Sequence, residues 1–120
     1  MYQSEELKIR SKKFALRIIS MFQSLPKTDE SRIIGKQVLR SGTSVAANYR
    51  AACRGRSKAE FIAKIGVVVE EADETVLWLE ILVDSEIVKQ EKMDSLLKEA
   101  NELLAIFAAS YHTSKYGGKK

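Results

Sequence analysis

The chain has few of the residues that interrupt regular structure. Its 120 residues include one proline and six glycines, and two of those glycines lie among the last four residues. A β-fold of this size would need many turns, and turns draw on both residue types. The shortage therefore favours a few long helices in one domain of ordinary size.

Cysteine and histidine, the residues of many catalytic and metal sites, each occur once. Cys53 has no partner for an internal disulfide and falls on an apolar helix face, where we interpret it as a small core residue. His112 lies near the C-terminus, and no Glu-x-x-His pairing, phosphate-binding glycine loop or Ser–His–Asp set accompanies it. We expect no metal, no cofactor and no enzymatic activity.

Long apolar runs are missing as well. No stretch approaches the ~20 residues that span a bilayer, and the first ten residues mix polar and charged side chains without the apolar segment of a secretory signal. We therefore expect a cytoplasmic protein that makes no contact with a membrane.

Apolar residues recur at spacings of three and four along four segments, which predicts four helices. The first runs from about residue 5, with Ser4 as its cap, to Pro26. The second begins at Thr28 or Asp29 and ends at Gly55, a candidate left-handed terminator.

The third helix begins at the sequence SKAE, residues 57–60, which has the pattern of a capping box, and it ends at residues 84–85. The fourth spans residues 90–111. Short connections favour antiparallel neighbours, so the predicted fold is an all-α, up-down-up-down four-helix bundle. It forms a single domain over residues 1–120, with residues 114–120 as a flexible tail.

Two glycines lie on the apolar face of the second helix. A glycine inside a helix costs about 1 kcal/mol relative to alanine, so Gly35 and Gly42 suggest a compensating role. Close packing against a neighbouring helix is one interpretation, and a hinge or ligand slot is another.

Positive charge is concentrated in one part of the chain and on one helix face. Residues 31–69 contain eight Lys or Arg and one acid, whereas residues 70–102 contain eleven acids and three lysines. A projection at about 100° per residue places five cations on one edge of the second helix, and two more follow in the next turn: Arg32, Lys36, Arg40, Arg50 and Arg54, then Arg56 and Lys58. We call these seven residues the basic stripe.

The basic stripe has two interpretations. Arginine predominates in it and suits phosphate oxygens, which favours a nucleic-acid-binding surface for RNA or DNA. Alternatively, the cations form salt bridges with the acids of the third helix, and the bundle is a protein–protein interaction scaffold that binds no nucleic acid.

A second set of apolar residues lies away from the predicted core. A monomeric bundle helix needs one apolar stripe, and large exposed apolar patches are uncommon on monomers. The additional stripes on the first and third helices therefore predict an oligomer interface formed by Ile9, Leu16, Ile19, Ala63, Val67, Trp78 and Ile81.

Several segments resemble one known family. They are RSGTSVAANYRAA at residues 40–52, RSKAEF at 56–61, EEADET at 70–75, WLE at 78–80 and LVDS at 82–85. Together they make the chain similar, over nearly its whole length, to the bacterial four-helix-bundle proteins encoded within intervening sequences of 23S ribosomal RNA genes.

That family is in turn similar to the accessory variability proteins of diversity-generating retroelements. Those proteins form barrel-like homopentamers, and their basic surface binds nucleic acid and a reverse transcriptase. The resemblance therefore implies a homopentamer with a functional basic surface, and a reverse transcriptase as a candidate partner.

Overall fold

The computed structural model describes the backbone of residues 2–117 and the side chains of residues 5–117. All regular structure in this part of the chain is helical. Four α-helices follow one another and end in a short π-helical segment: α1 (Tyr2–Gln23), α2 (Asp29–Cys53), α3 (Lys58–Asp84), α4 (Gln90–His112) and the segment Thr113–Gly117.

The polar residues predicted to start α2 and α3 do so. Thr28 Oγ1 accepts a hydrogen bond from the Ser31 amide at 3.3 Å, and Ser57 Oγ accepts one from the Glu60 amide at 3.1 Å. In the reciprocal contact, the Glu60 carboxylate accepts a hydrogen bond from the backbone amide of Arg56 at 2.7 Å. The helix starts are therefore determined by local hydrogen bonds that the sequence pattern indicates.

Two residues do not have the helix-terminal roles that the sequence predicts. The first helix begins at Tyr2, so Ser4 lies inside it and does not cap it. No glycine in the described residues has a positive φ, so Gly55 is not a left-handed terminator. A Cβ at Gly55 would stand 3.2 Å from the Ala52 carbonyl oxygen and 3.3 Å from Glu60 Cβ; the absence of a side chain allows the tight turn between α2 and α3.

The predicted tail begins with helical backbone, because winding continues through Gly117. Residues 118–120 of that tail lie outside the described residues.

The four helices form the predicted up-down-up-down bundle, with dimensions of 49 × 23 × 20 Å. Sequential helices make the most extensive contacts, and α1 closes the bundle against α4 through a thinner contact. Apolar side chains from all four helices form one core, which includes the fully buried Ile18, Val45, Ile65, Leu79 and Phe107.

Both glycines of α2 lie where α1 approaches closely. A Cβ at Gly42 would stand 2.9 Å from Ile18 Cγ1, and a Cβ at Gly35 would stand 2.8 Å from Leu25 Cδ1. Of the two interpretations for these residues, close helix packing is confirmed.

A buried polar contact links α2 and α3. Thr75 Oγ1 donates to Ser41 Oγ at 2.9 Å and lies 2.7 Å from the Glu71 carbonyl oxygen, and both hydroxyl residues are fully buried. Because an unpaired buried hydroxyl is costly, this contact favours one antiparallel register between the two helices.

Cross-helix contacts place distant parts of the sequence at the same height along the bundle. Ile18 meets Gly42, Ser41 meets Thr75, and Arg17 donates to Ser95. A plane drawn across the long axis of the bundle with the help of these contacts divides it into two halves. One half contains residues 5–13, 47–69 and 98–117, and the other contains residues 14–46 and 70–97. The first half, which contains the α2–α3 turn, carries eleven Lys or Arg and five acids; the second carries seven and eleven. The charge polarity of the sequence is therefore also a polarity along the molecule.

None of the helices described is both long enough and apolar enough to cross a membrane.

Candidate nucleic-acid interface

The basic stripe divides into two parts that differ in their ion pairs. In the first part, Arg32 contacts Asp29 of its own helix at 3.7 Å, and Arg40 forms salt bridges with Glu71 and Glu74 of α3. Lys36, between them, is exposed, and no carboxylate lies within 4 Å of it among the described side chains. Two of the three cations in this part therefore have a carboxylate within 4 Å, and Arg40 has the closer contacts.

The second part of the stripe surrounds the turn between α2 and α3. It consists of Arg50, Arg54, Arg56 and Lys58, which we call the basic corner. All four side chains are exposed, and within residues 5–117 none has a carboxylate oxygen within 4 Å. These cations are available to an external polyanion.

A local structural role accounts for part of the basic corner. Arg50 lies in the last turn of α2 and Arg54 caps it, and cations near a helix C-terminus stabilise it by typically 0.3–1 kcal/mol each through the helix dipole. That role does not extend to Arg56 and Lys58, which follow the helix end and begin the next helix.

Lysines of α1 lie at the same end of the bundle as the basic corner. The contacts of Ile18 with Gly42 and of Phe22 with Gly35 define the α1–α2 register, and this register places the exposed Lys12 close in height to Arg50. Lys12 is not among the binding residues predicted from the sequence, because nothing local to α1 indicates which part of α2 lies beside it.

The salt bridges of Arg40 belong to a small polar cluster on the α2–α3 face. Arg40 lies 3.3 Å from a Glu71 carboxylate oxygen and is bonded to Glu74, whose carboxylate also accepts from the Trp78 indole N–H at 3.0 Å. The hydrogen bond from Trp78, together with the Arg40 guanidinium, lowers the pKa of Glu74. Internal pairing thus holds for Arg40, whereas Arg50 and Arg54 make no such pair in the described structure.

The residues predicted to form an oligomer interface lie on two opposite sides of the bundle. Ile9 and Leu16 of α1 are 52% and 56% exposed, and the backbones of α1 and α3 are not in contact within the described chain. The set on α3 is less exposed. Ala63 is exposed, and the other members of the two sets are half-buried: Ile19, Val67, Trp78 and Ile81.

A shallow groove lies beside Ala63 and Val67. The α3 residues Ile62 and Gly66 and the ring of Tyr111 from α4 form its remaining apolar walls. The helix registers place Ile9 of α1 at about the same height as this groove, on the other side of the bundle.

A cavity of about 570 Å³ opens at the basic end of the bundle, and the sequence analysis did not predict it. Leu7, Tyr49, Phe61 and Ile106, one residue from each helix, form its apolar walls. Tyr49 is buried against Phe107, with ring centroids 5.1 Å apart, and burial together with the nearby Cys53 raises its pKa. No sequence motif marks the cavity, because its walls come together only when all four helices are packed.

No cluster of three or more His, Cys, Asp or Glu side chains capable of holding a metal ion occurs in the part of the chain that the structure describes.

Comparisons with known proteins agree with the fold and identify the family. The family model of the 23S rRNA-intervening sequence protein matches residues 5–109. A crystal structure of a protein of unknown function from the S23 ribosomal protein family, from Bacteroides thetaiotaomicron VPI-5482, is 34% identical. The similarity covers 92% of this chain and 98% of that one, with a TM-score of 0.85. No curated protein matches the sequence. The chain belongs to the 23S rRNA-intervening sequence protein family.

Proposed function

We propose that this protein is a non-enzymatic homo-oligomer that binds nucleic acid through the basic corner. The observation that carries the proposal is that the side chains of Arg50, Arg54, Arg56 and Lys58 are exposed and form no salt bridge in the described structure. Exposed like charges at four-residue spacing, such as Arg50 and Arg54, repel each other. A bound phosphate backbone would relieve that repulsion and release counterions.

The charge distribution of the whole molecule supports the same surface. The basic corner lies at the end of the bundle where cations exceed acids, and Lys12 and Lys13 of α1 add to it. A polyanion would therefore be attracted to this end and repelled from the other, which favours one orientation of the bound molecule.

Self-association is the second part of the proposal. Apolar residues on opposite sides of a protomer favour head-to-tail contacts, and such contacts generate closed rings when the rotation per subunit allows it. A ring would bring several copies of the basic corner to the same end of the assembly and strengthen binding by multivalency. Five subunits is the number that the resemblance to the accessory variability proteins implies.

Salt-dependent binding to an oligonucleotide tests the role of the basic corner. The double variant R50Q/R54Q removes two cations, and K89Q/K92Q removes two exposed lysines from the acidic end as a matched control. We expect R50Q/R54Q to bind single-stranded RNA or DNA about tenfold or more weakly, and the slope of log K against log salt to flatten by about 1.4–1.8. Fluorescence anisotropy titrations at salt concentrations between about 50 and 200 mM measure both the affinity and this slope.

The outcome of the control decides how the result is interpreted. The K89Q/K92Q variant should bind like the unmodified protein. Equal losses in the two double variants would mean that net charge alone matters, and no loss in R50Q/R54Q would remove the basic corner from the proposal. A third variant, R40Q, should retain binding, because Arg40 is already paired with Glu71 and Glu74.

A protein–protein scaffold is the second candidate function. It is favoured by the Arg40 salt bridges, which show that part of the basic stripe serves the fold. In this case the basic corner would bind an acidic protein surface, with a reverse transcriptase as one candidate partner. The absence of salt-dependent oligonucleotide binding by the unmodified protein would favour this alternative.

A further inference from the structure

The cavity at the basic end has the size and composition of a small-molecule site. Its volume of about 570 Å³ lies within the range of roughly 300–1,000 Å³ that is typical of ligand pockets. Apolar and aromatic walls surround a few polar groups, among them the hydroxyls of Ser110, Thr113 and Ser114. Such a site suits a flat ligand that has apolar faces and polar edges.

The cavity adjoins the basic corner through two short segments. Tyr49 precedes Arg50 in α2, and Phe61 follows Lys58 by about one turn of α3. The other lining residues belong to α1, α4 and the segment after α4, so a strand held by the cations would reach the cavity across the end of the bundle.

The cavity itself is not suited to a phosphate. Arg10, its one cationic lining residue, donates to Glu99 through Nε and Nη2, both at 2.8 Å, and to Glu102 at 2.7 Å. Glu6 adds a further carboxylate to the lining. An anion would meet repulsion there, whereas the amino group of a nucleobase could donate to the Glu6 carboxylate.

We propose that the end cavity receives an unstacked nucleobase of a single-stranded nucleic acid whose phosphates lie on the basic corner. This inference rests on the proposed function and specifies its ligand. The arrangement combines a cationic track for the backbone with an aromatic side chain, Phe61, for stacking. A duplex keeps its bases stacked inside the helix, so it could reach the basic corner but not the cavity.

Filling the cavity from α4 tests the inference without removing core contacts. Ala109 is exposed and Ser110 is half-buried, and both line the cavity; the variant A109L/S110L would occupy part of it. The matched control is A105L/A108L, which adds two leucines at exposed positions of the same helix outside the lining. A second variant, F61L, removes the ring and keeps an apolar side chain.

The probes are one oligonucleotide as a single strand, the same sequence as a blunt duplex, and the single strand with one 2-aminopurine. We expect the unmodified protein to prefer the single strand by about fivefold to a hundredfold, the range of one base–aromatic stacking contact. The 2-aminopurine fluorescence should change on binding. A109L/S110L and F61L should lose both the preference and the fluorescence change, and A105L/A108L should retain them.

The outcomes separate this inference from the function on which it rests. If A109L/S110L and F61L still prefer the single strand while R50Q/R54Q loses binding, the basic corner binds nucleic acid and the cavity takes no base. If R50Q/R54Q binds the oligonucleotide as strongly as the unmodified protein does, both proposals are overturned, whatever the cavity variants do.

Discussion

Different residues of α2 have different roles: some hold the helix against its neighbours, and others belong to the candidate binding surface. Gly42 lies where α1 approaches most closely, Ser41 forms the buried hydrogen bond to Thr75, and Arg40 pairs with α3. Arg50 and Arg54 follow on the same helix without such pairs in the described structure. A change in the middle of α2 should therefore affect folding, and a change near its C-terminal end should affect binding.

At Gly42, replacement by alanine should destabilise the protein although alanine is the better helix former. The added Cβ would lie 2.9 and 3.0 Å from the two γ-carbons of Ile18, a fully buried β-branched residue with little freedom to move. Overpacking typically costs 1–3 kcal/mol, which exceeds or offsets the gain of about 1 kcal/mol in helix propensity. Chemical denaturation should show a net loss of up to about 2 kcal/mol.

Gly35 provides the comparison for this substitution. Its Cβ would meet Leu25 Cδ1 at 2.8 Å and the Phe22 ring carbons Cδ1 and Cε1 at 3.1 Å. The end of the leucine side chain and the half-buried Phe22 ring can move at lower cost than the γ-carbons of Ile18. G35A should therefore be clearly less destabilising than G42A. An equal loss at both positions would contradict the explanation by Ile18.

Among the elements, α1 and α4 form the thinnest contact of the bundle. Polar side chains make a large part of it. Arg10 donates two hydrogen bonds to Glu99 and one to Glu102, and Arg17 donates to Ser95 at 2.8 Å. The hydrogen bonds from Arg10 lower the pKa of Glu99 and those carboxylates raise the pKa of Arg10.

The lowered pKa of Glu99 makes the α1–α4 contact sensitive to acid. A carboxyl whose pKa is lower in the folded state than in the unfolded state stabilises the fold above its unfolded value, about 4.3 for glutamate, and this stabilisation is lost as the pH falls through the folded value. E99Q should cost about 1 kcal/mol at pH 7. Its stability should match that of the unmodified protein more closely as the pH falls below 4.

The control for this prediction is D73N, at an exposed acid in the middle of α3 that has no described ion pair. Denaturation midpoints of the three proteins between pH 7 and pH 3 provide the measurement. A pH-independent difference between E99Q and the unmodified protein would mean that the Arg10–Glu99 pair does not contribute through its charge.

Two features describe the whole molecule. Positive and negative charge are concentrated at opposite ends of its length, and predicted interface residues lie on two opposite sides of its width. The charge polarity directs a polyanion to one end, and the exposed apolar side chains on α1 and α3 face away from each other. Both follow from antiparallel packing, which brings residues that are distant in sequence to the same height and separates α1 from α3.

The proposed assembly predicts a defined response to charge at the α1 surface. I9K/L16K places two cations where the proposed interface buries apolar side chains, so the oligomer should dissociate to the 13.5 kDa protomer. I33K, at a residue that is 64% exposed on α2 and outside both apolar sets, is the control and should leave the assembly intact. Light scattering should give about 68 kDa for a pentamer of the unmodified chain; a monomer at all concentrations would refute self-association.

Local information in the sequence was sufficient for the number of helices, most of their ends and the bundle class. Apolar spacing, Thr28 and Ser57 as caps, and the break after Asp84 all act within one or two helical turns, so they can be identified without knowing what packs where. Gly55 was misinterpreted because crowding at the α2–α3 turn, not a left-handed backbone, requires a glycine there.

Tertiary structure alone decided which cations are paired and where the cavity lies. The projection of α2 places Arg40 and Arg50 on one edge, yet Arg40 meets the acids of α3 whereas Arg50 meets no described carboxylate. The similar height of Lys12 and Arg50 along the bundle, and the convergence of the cavity walls, likewise depend on the registers between helices. Those registers arise from long-range contacts such as Ile18–Gly42 and Ser41–Thr75, which have no signature in any single segment.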